Sequence, residues 1–224
     1  MSKPAVREAP DCGLYIAVPP LFKVDELMPQ LRQIFLVTKS SPYKMNMHVL
    51  EIAHEVDEFD FSERAAVITA LGRAAGFVVV LRGKGAAAAW QAQKMEADGV
   101  LLDELTDIAP VRDILGADAI IGLRCGLSPE RADEAQEAGV DYVTFGYPDR
   151  RQLPPEDVVK LWAWRDDTPV VVEGPLTNDE IDDFIKAGAT FFDASTYIWD
   201  HPEGVMQGTV NMLYAIDLAL GVQS

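Results

Sequence analysis

The sequence predicts an α/β fold: a single (βα)8 TIM barrel, eight parallel strands ringed by helices, over residues 1–224 with residues 1–12 as a flexible lead. Three observations predict it. Eight short apolar runs alternate with helix-patterned stretches, the order expected of a parallel sheet covered on its outer face. A weak repeat recurs where helices hand over to strands. The length of 224 residues fits the lower end of the barrel range, with enough apolar composition, 49%, for one sizeable core.

Taken in order, the strands are Leu14–Val18, Met47–Ala53, Phe77–Leu81, Gly99–Leu102, Ala119–Leu123, Tyr142–Phe145, Pro169–Val172 and Phe191–Asp193. Each is short and apolar, as a strand buried on both faces should be. The intervening helical patterns are Val24–Phe35, Ser62–Ala75, Ala86–Glu96, Ile108–Leu115, Pro129–Ala138, Pro155–Arg165 and Asn178–Ala187, and Val205–Leu220 closes the chain. The second strand is ambiguous, because Ile34–Thr38 competes with Met47–Ala53 across Ser40-Ser41-Pro42. Pro154-Pro155 reads as a loop into a helix whose first turn carries Glu156 and Asp157, which suit the positive helix start.

The repeat consists of Glu96-Ala97-Asp98-Gly99, Leu115-Gly116-Ala117-Asp118, Ala138-Gly139-Val140-Asp141 and Ala187-Gly188-Ala189-Thr190. Its glycines suit the left-handed residue that follows a helix. The spacing of one βα unit fits repeated right-handed crossovers.

A net charge of −17 repels phosphate backbones and anionic lipid surfaces, so neither nucleic acid nor membrane is an expected partner. Cys12 and Cys125 are isolated and match no metal or disulfide framework, which points to a reducing, cytoplasmic setting. Met1–Pro10 has no apolar signal core, and no stretch is long enough to cross a bilayer.

Arg82, Lys84, Arg124, Arg150 and Arg151 all fall just past strand ends, so a barrel would gather them on one rim and focus a positive field on an anionic ligand. The alternative is ordinary pairing with Asp103, Glu104 or Asp149. Gly174, Ser195 and Thr196 lie after the seventh and eighth strands, where barrels often hold phosphate, although a turn glycine and a helix cap would look the same. Glu51, Glu55, Asp103, Glu104, Glu173 and Asp193 supply carboxylates at strand ends. Glu173, following four apolar residues, and His54, beside Glu55, are the candidates for moving a proton. Cys125 beside Arg124 could have a lowered thiol pKa or be an inert buried thiol. Trp162, Trp164, Trp199 and Tyr214 suit either a cover over the barrel's outside or a surface that joins two copies in a homodimer.

Gly83-Lys84-Gly85-Ala86-Ala87-Ala88 satisfies G-x-G-x-x-A between a strand and a helix, with Asp103 and Glu104 about twenty residues on. That is the dinucleotide-binding arrangement, but it follows the third strand instead of the first. The preferred reading is a flexible loop before an alanine-rich helix.

From Ala97 to Ile198 the chain resembles the thiamine-phosphate synthase and thiazole tautomerase superfamily. The carriers are Ala97-Asp98-Gly99-Val100-Leu101-Leu102, Gly116-Ala117-Asp118-Ala119-Ile120-Ile121-Gly122, Ala138-Gly139-Val140-Asp141-Tyr142-Val143-Thr144-Phe145-Gly146, and Val171-Val172-Glu173-Gly174 followed by Thr177. Gly13-Leu14-Tyr15-Ile16-Ala17-Val18 is similar to the family's opening strand. The resemblance implies a small phosphorylated ligand, thiazole- or thiamine-phosphate-like, at the C-terminal rim. It also implies magnesium, with Asp103 and Asp107 as the ligands available.

The departures fall on the chemistry. The family's Asn-Asp-Arg after the third strand becomes Leu81-Arg82-Gly83, and its His-Leu-Gly-Gln becomes Leu101-Leu102-Asp103-Glu104. Its Gly-x-Ser-x-His becomes Gly122-Leu123-Arg124-Cys125-Gly126, its basic pair after the second strand meets Ile52-Ala53-His54, and its paired glycines become Glu173-Gly174. A synthase must neutralise a leaving pyrophosphate, so these losses speak against full synthase activity. Three readings follow: a divergent synthase using Arg82, Lys84 and Arg124 at the phosphates; an isomerase of a phosphorylated heterocycle using Glu173 or His54; and a binding protein that kept the fold without the chemistry.

Overall fold

The computed structural model describes residues 12–20, 22–43, 45, 47–53 and 61–222. Eight strands, β1 (Gly13–Ala17), β2 (Val49–Ala53), β3 (Val78–Gly83), β4 (Gly99–Leu102), β5 (Ile120–Arg124), β6 (Tyr142–Phe145), β7 (Val170–Val172) and β8 (Phe191–Asp193), pair in parallel in sequence order. The pairing of β1 with β8 closes the ring. Outside it lie α1 (Val24–Ser40), α2 (Phe61–Ala74), α3 (Gly85–Lys94), α4 (Ile108–Leu115), α5 (Pro129–Glu137), α6 (Glu156–Ala163), α7 (Ile181–Ala187) and α9 (Val205–Val222), while the short α8 (Ser195–Trp199) follows β8.

The expected elements are present with ends shifted by a few residues. The largest difference is α1, which runs through Ile34–Thr38 to Ser40 and so removes the competing second strand. Leu27, Leu31, Ile34 and Phe35 form its buried face, a helical spacing that a strand could not bury on one side.

The handover repeat has a physical cause. The residue just before each of β4, β6 and β8 accepts a backbone N–H of the neighbouring strand: Asp98 Oδ2 from Val79, Asp141 Oδ2 from Ile121 and Thr190 Oγ1 from Val170, each at 2.8 Å. These side chains satisfy donors at the lower rim that the short strands leave over. Gly116, Gly139 and Gly188 take positive φ as expected, but in the first copy Glu96 holds the left-handed position, with φ 57°. Gly99 is instead a strand residue, where a Cβ would lie 1.8 Å from the Ile120 carbonyl oxygen.

Alternation along each strand then sorts the side chains. Tyr15, Val49, Val80, Leu101, Tyr142, Val171 and Phe191 point inward and pack as a core separate from the larger one between strands and helices. Gly122 leaves room for the Tyr142 ring, 2.2 Å from where its Cβ would stand. One step further toward the C-terminal ends, the inward positions become polar: Glu51, Arg82, Arg124 and Asp193.

Of the aromatics expected at a subunit surface, Trp162 is 1% exposed and belongs to the core. Trp199 lines the mouth. Trp164 and Tyr214 are exposed, on different elements. Among the described residues no helix is long and apolar enough to cross a membrane.

Candidate functional site

The register carries charged residues from six of the eight strands or their ends to one mouth, where the β6–α6 loop adds Arg150. The Arg150 guanidinium donates through Nη2 to Glu51 Oε2 at 2.8 Å and to Glu173 Oε1 at 3.1 Å, and its Nη1 lies 3.6 Å from Asp193 Oδ2. Arg124 donates Nε to both Glu173 oxygens, at 3.0 and 3.2 Å, and Nη2 to Oε2 at 2.8 Å. Its Nη1 reaches Asp103 Oδ1 at 3.3 Å. Arg82 Nε stands 3.4 Å from Glu51 Oε1. Tyr15, on β1, donates its hydroxyl to Glu51 Oε2 at 2.8 Å.

Glu51 and Glu173 are each 1% exposed and Asp193 is 2% exposed, so this is a buried network and not surface pairing. Burial pushes the Glu173 carboxyl up, but Arg150 and Arg124 more than reverse this and hold it below the usual carboxylate range. It therefore stays ionised and is a poor proton acceptor at neutral pH. Burial likewise opposes the charge of Arg150, yet Glu51, Glu173 and Asp193 together raise its pKa further. Asp193 is the exception: burial pushes its carboxyl up to about 6, against the pull of Arg150 and a hydrogen bond from Ser195.

The expected positive rim is therefore corrected. Arg82, Arg124 and Arg150 face inward onto Glu51, Asp103, Glu173 and Asp193, and their charge is internally compensated. Lys84 is exposed ahead of α3 and does not line the mouth cavity, and Arg151 is exposed beside Asp149. Arg150 and Tyr15 carry more of the site than sequence reading assigned to them. Arg150 holds a left-handed backbone, φ 52°, in a loop, and no strand periodicity marks it.

The phosphate loops differ from expectation too. Gly174 is buried with φ 148°, and a Cβ on it would come within 2.8 Å of the Gln152 carbonyl oxygen, so the β6–α6 loop packs closely against it. Thr177 shares a capping arrangement with Glu180, whose Oε2 accepts from the Thr177 N–H at 2.9 Å. Ser195 Oγ accepts from the Ala17 N–H at 2.7 Å and donates to Asp193 Oδ1. Thr196 is exposed and does line the cavity. His54 and Glu55 lie outside the described residues.

The Gly83-Lys84-Gly85 turn does not form a dinucleotide site. Gly85, φ 53°, donates its N–H to Asp107 Oδ2 at 2.8 Å, so a carboxylate of the chain itself occupies the place of a phosphate. The sheet is closed, with no crevice between halves. The same contact uses Asp107, while Asp103 is bound to Arg124, with its backbone carbonyl held by Arg131. Among the described residues no three histidine, cysteine or acidic side chains gather as a metal cluster. Both carboxylates expected to hold magnesium are thus engaged by groups of the chain itself. Burial pushes the Cys125 thiol up to about 12, which makes it inert at neutral pH.

Beside the network lies a cavity of about 480 Å³, floored by Glu51, Arg82, Arg150 and Asp193 and walled by Val18, Pro19, Pro20, Ser195 and Trp199. Fold and site together define a (βα)8 barrel with a small-molecule cavity at its C-terminal mouth, the position such barrels use for ligands. A family model described as thiamine monophosphate synthase matches residues 44–196, and the chain belongs to that family. The chain is 34% identical over 150 residues to a thiamine-phosphate synthase of Hyphomonas neptunium, a match covering 63% of this chain and 66%, just under two thirds, of the relative. It is 27% identical over 210 residues to the enzyme of Rhodospirillum centenum, covering 87% and 92%. Among solved structures, a thiamine phosphate pyrophosphorylase from Pyrococcus furiosus superposes with a TM-score of 0.72 at 19% identity, covering 96% of this chain and 99% of that one, which bears on the fold alone.

Proposed function

We propose that this family member is a ligand-binding barrel that does not carry out the synthase condensation. Joining an aminopyrimidine diphosphate to a thiazole phosphate expels pyrophosphate, whose charge must be met by cations or a metal. The observation that carries the reading is that each of the three arginines at the mouth is already committed to buried carboxylates. A phosphate would have to break those pairs and then face Glu51, Glu173 and Asp193 uncompensated, each loss costing several kcal/mol.

The isomerase reading loses support at Glu173 for a related reason, since that carboxylate is doubly bound to arginine and held in its charged form, while its other candidate, His54, lies outside the described residues. What remains is a preorganised cavity of a size suited to one small heterocycle, 480 Å³, in the range of small-molecule sites.

The test is a turnover assay with the aminopyrimidine diphosphate and thiazole phosphate, with magnesium present, read by phosphorus NMR for released pyrophosphate. The expected result is no release above the uncatalysed background. Enzymatic release abolished by Arg124→Ala would overturn the proposal.

A further inference from the structure

We propose that the outer face of α9 is the contact surface for a second copy of this chain, packed helix against helix about a two-fold axis.

The first argument is the face itself. Met206, Val210, Tyr214 and Leu218 recur every fourth residue along α9 and are 43%, 36%, 51% and 54% exposed, while Met212 and Ile216 on the opposite side are buried in the core. The barrel therefore accounts for one side of the helix, and no described element covers the other. A helix on the outside of a barrel ordinarily turns a polar face to water, and this one is apolar. Asp217 is the only charged residue of the 18 in α9, although 25% of the chain is charged and a helix of that length would ordinarily carry about four. Leu36, 60% exposed, is on α1, the helix that packs along α9, and the Tyr43 ring just past α1 stands 6.0 Å from that of Tyr214.

The second argument selects the occupant. Each copy carries a net charge of −17, so two copies repel each other over most of their surface and least where charge is absent. A basic partner would be drawn to the acidic remainder of the surface and would find no row of carboxylates to pair with on α9. Shape points the same way. Residues four apart form a ridge inclined to the helix axis, and two identical ridges interdigitate at about −50°, the commonest way for helices to pack. A two-fold axis sets one patch against itself, so a single ridge supplies both halves of the contact. Asp217 lies toward one end of the ridge, and in the antiparallel sense the two copies hold these carboxylates apart.

The third argument is area. An 18-residue helix is about 27 Å long, so α9 and α1 side by side present on the order of 600 Å² per copy, the lower end of specific interfaces. The expected dimer is therefore reversible, with a dissociation constant in the micromolar range.

Sedimentation velocity on the full chain, from about 1 to about 100 µM, tests this. The chain should pass from one to twice its own mass over that range, and association should tighten as added salt screens the mutual repulsion. Val210→Glu and Tyr214→Glu should each weaken it at least about tenfold, whereas Trp164→Ser, at a position 84% exposed at the end of α6, should leave it unchanged. Tyr214 also meets the Tyr43 ring, so if Tyr214→Glu loses its far-UV circular dichroism, Val210→Glu alone decides. A monomer throughout, a dimer that survives the charge at Val210, a dimer lost in Trp164→Ser, or association that salt weakens each overturns the assignment.

Discussion

Arg150 and Glu51 meet at 2.8 Å across the barrel mouth although 99 residues separate them. One comes from a loop after β6 and the other from β2, and the same guanidinium nitrogen continues to Glu173 beyond β7. The contact ties distant strands of the ring, and among the described residues Arg82, Arg124 and Arg150 at the mouth are all paired with carboxylates.

Removing that guanidinium should therefore be costly. Arg150→Ala leaves Glu51, Glu173 and Asp193 buried without their shared partner, and breaking such a pair costs about 3–5 kcal/mol. Urea unfolding at pH 8 measures this. A loss under about 1 kcal/mol, the range of exposed pairs, would mean the network is solvated.

Asp193 predicts a pH dependence of unusual sign. Its folded pKa, about 6, lies above the ordinary value of 3.8, so between those values the native state binds more protons than the unfolded one. Its contribution to stability is thus fully present below about pH 4 and is lost as the pH rises through 6, by at most about 3 kcal/mol. Glu173, held low by Arg150 and Arg124, works in the opposite direction, losing its contribution as the pH falls. The difference in unfolding free energy between the wild type and Asp193→Asn should therefore change across pH 4 to 6 in the Asp193 direction, and a flat difference would remove the buried-carboxyl account.

Thiol labelling checks the burial at the end of β5. Cys12 and Cys125 are both buried, and Cys125 is pushed up to about 12, so neither should react with a disulfide reagent at pH 8 until the chain is unfolded. Rapid labelling of Cys125 in a Cys12→Ser background would contradict the placement beside Arg124.

The barrel's close approach of strands gives a contrast between two glycines. Gly99→Ala would drive a Cβ to 1.8 Å from the Ile120 backbone oxygen, where nothing flexible can yield, and should cost about 3 kcal/mol or more. Gly139→Ala meets open space and pays only for its left-handed backbone, φ 86°, about 1–2 kcal/mol. Equal costs in thermal unfolding would show that the register of β4 on β5 is wrong.

The strands and the charges that directly follow them were legible in the sequence because both follow from local rules. Apolar runs such as Val170–Val172 mark a strand, and a charge placed directly after one, like Glu173, marks its end. Pairing was not legible, since Arg124 could have met solvent, an anion or a carboxylate, and only closure of the ring sets Glu173 against it. Arg150 was legible only as one of five rim cations, because its inward turn depends on a positive φ in a loop that carries no glycine there. The Gly83-Lys84-Gly85 motif misled because the same turn that cradles a phosphate also accepts Asp107.

The central claim is that the mouth's cations are internally compensated, and a calorimetric titration of pyrophosphate, with and without magnesium, tests it most directly. The account predicts no binding below millimolar concentration and no effect of the metal. Magnesium-dependent binding at micromolar concentration, lost in Arg124→Ala, would contradict it.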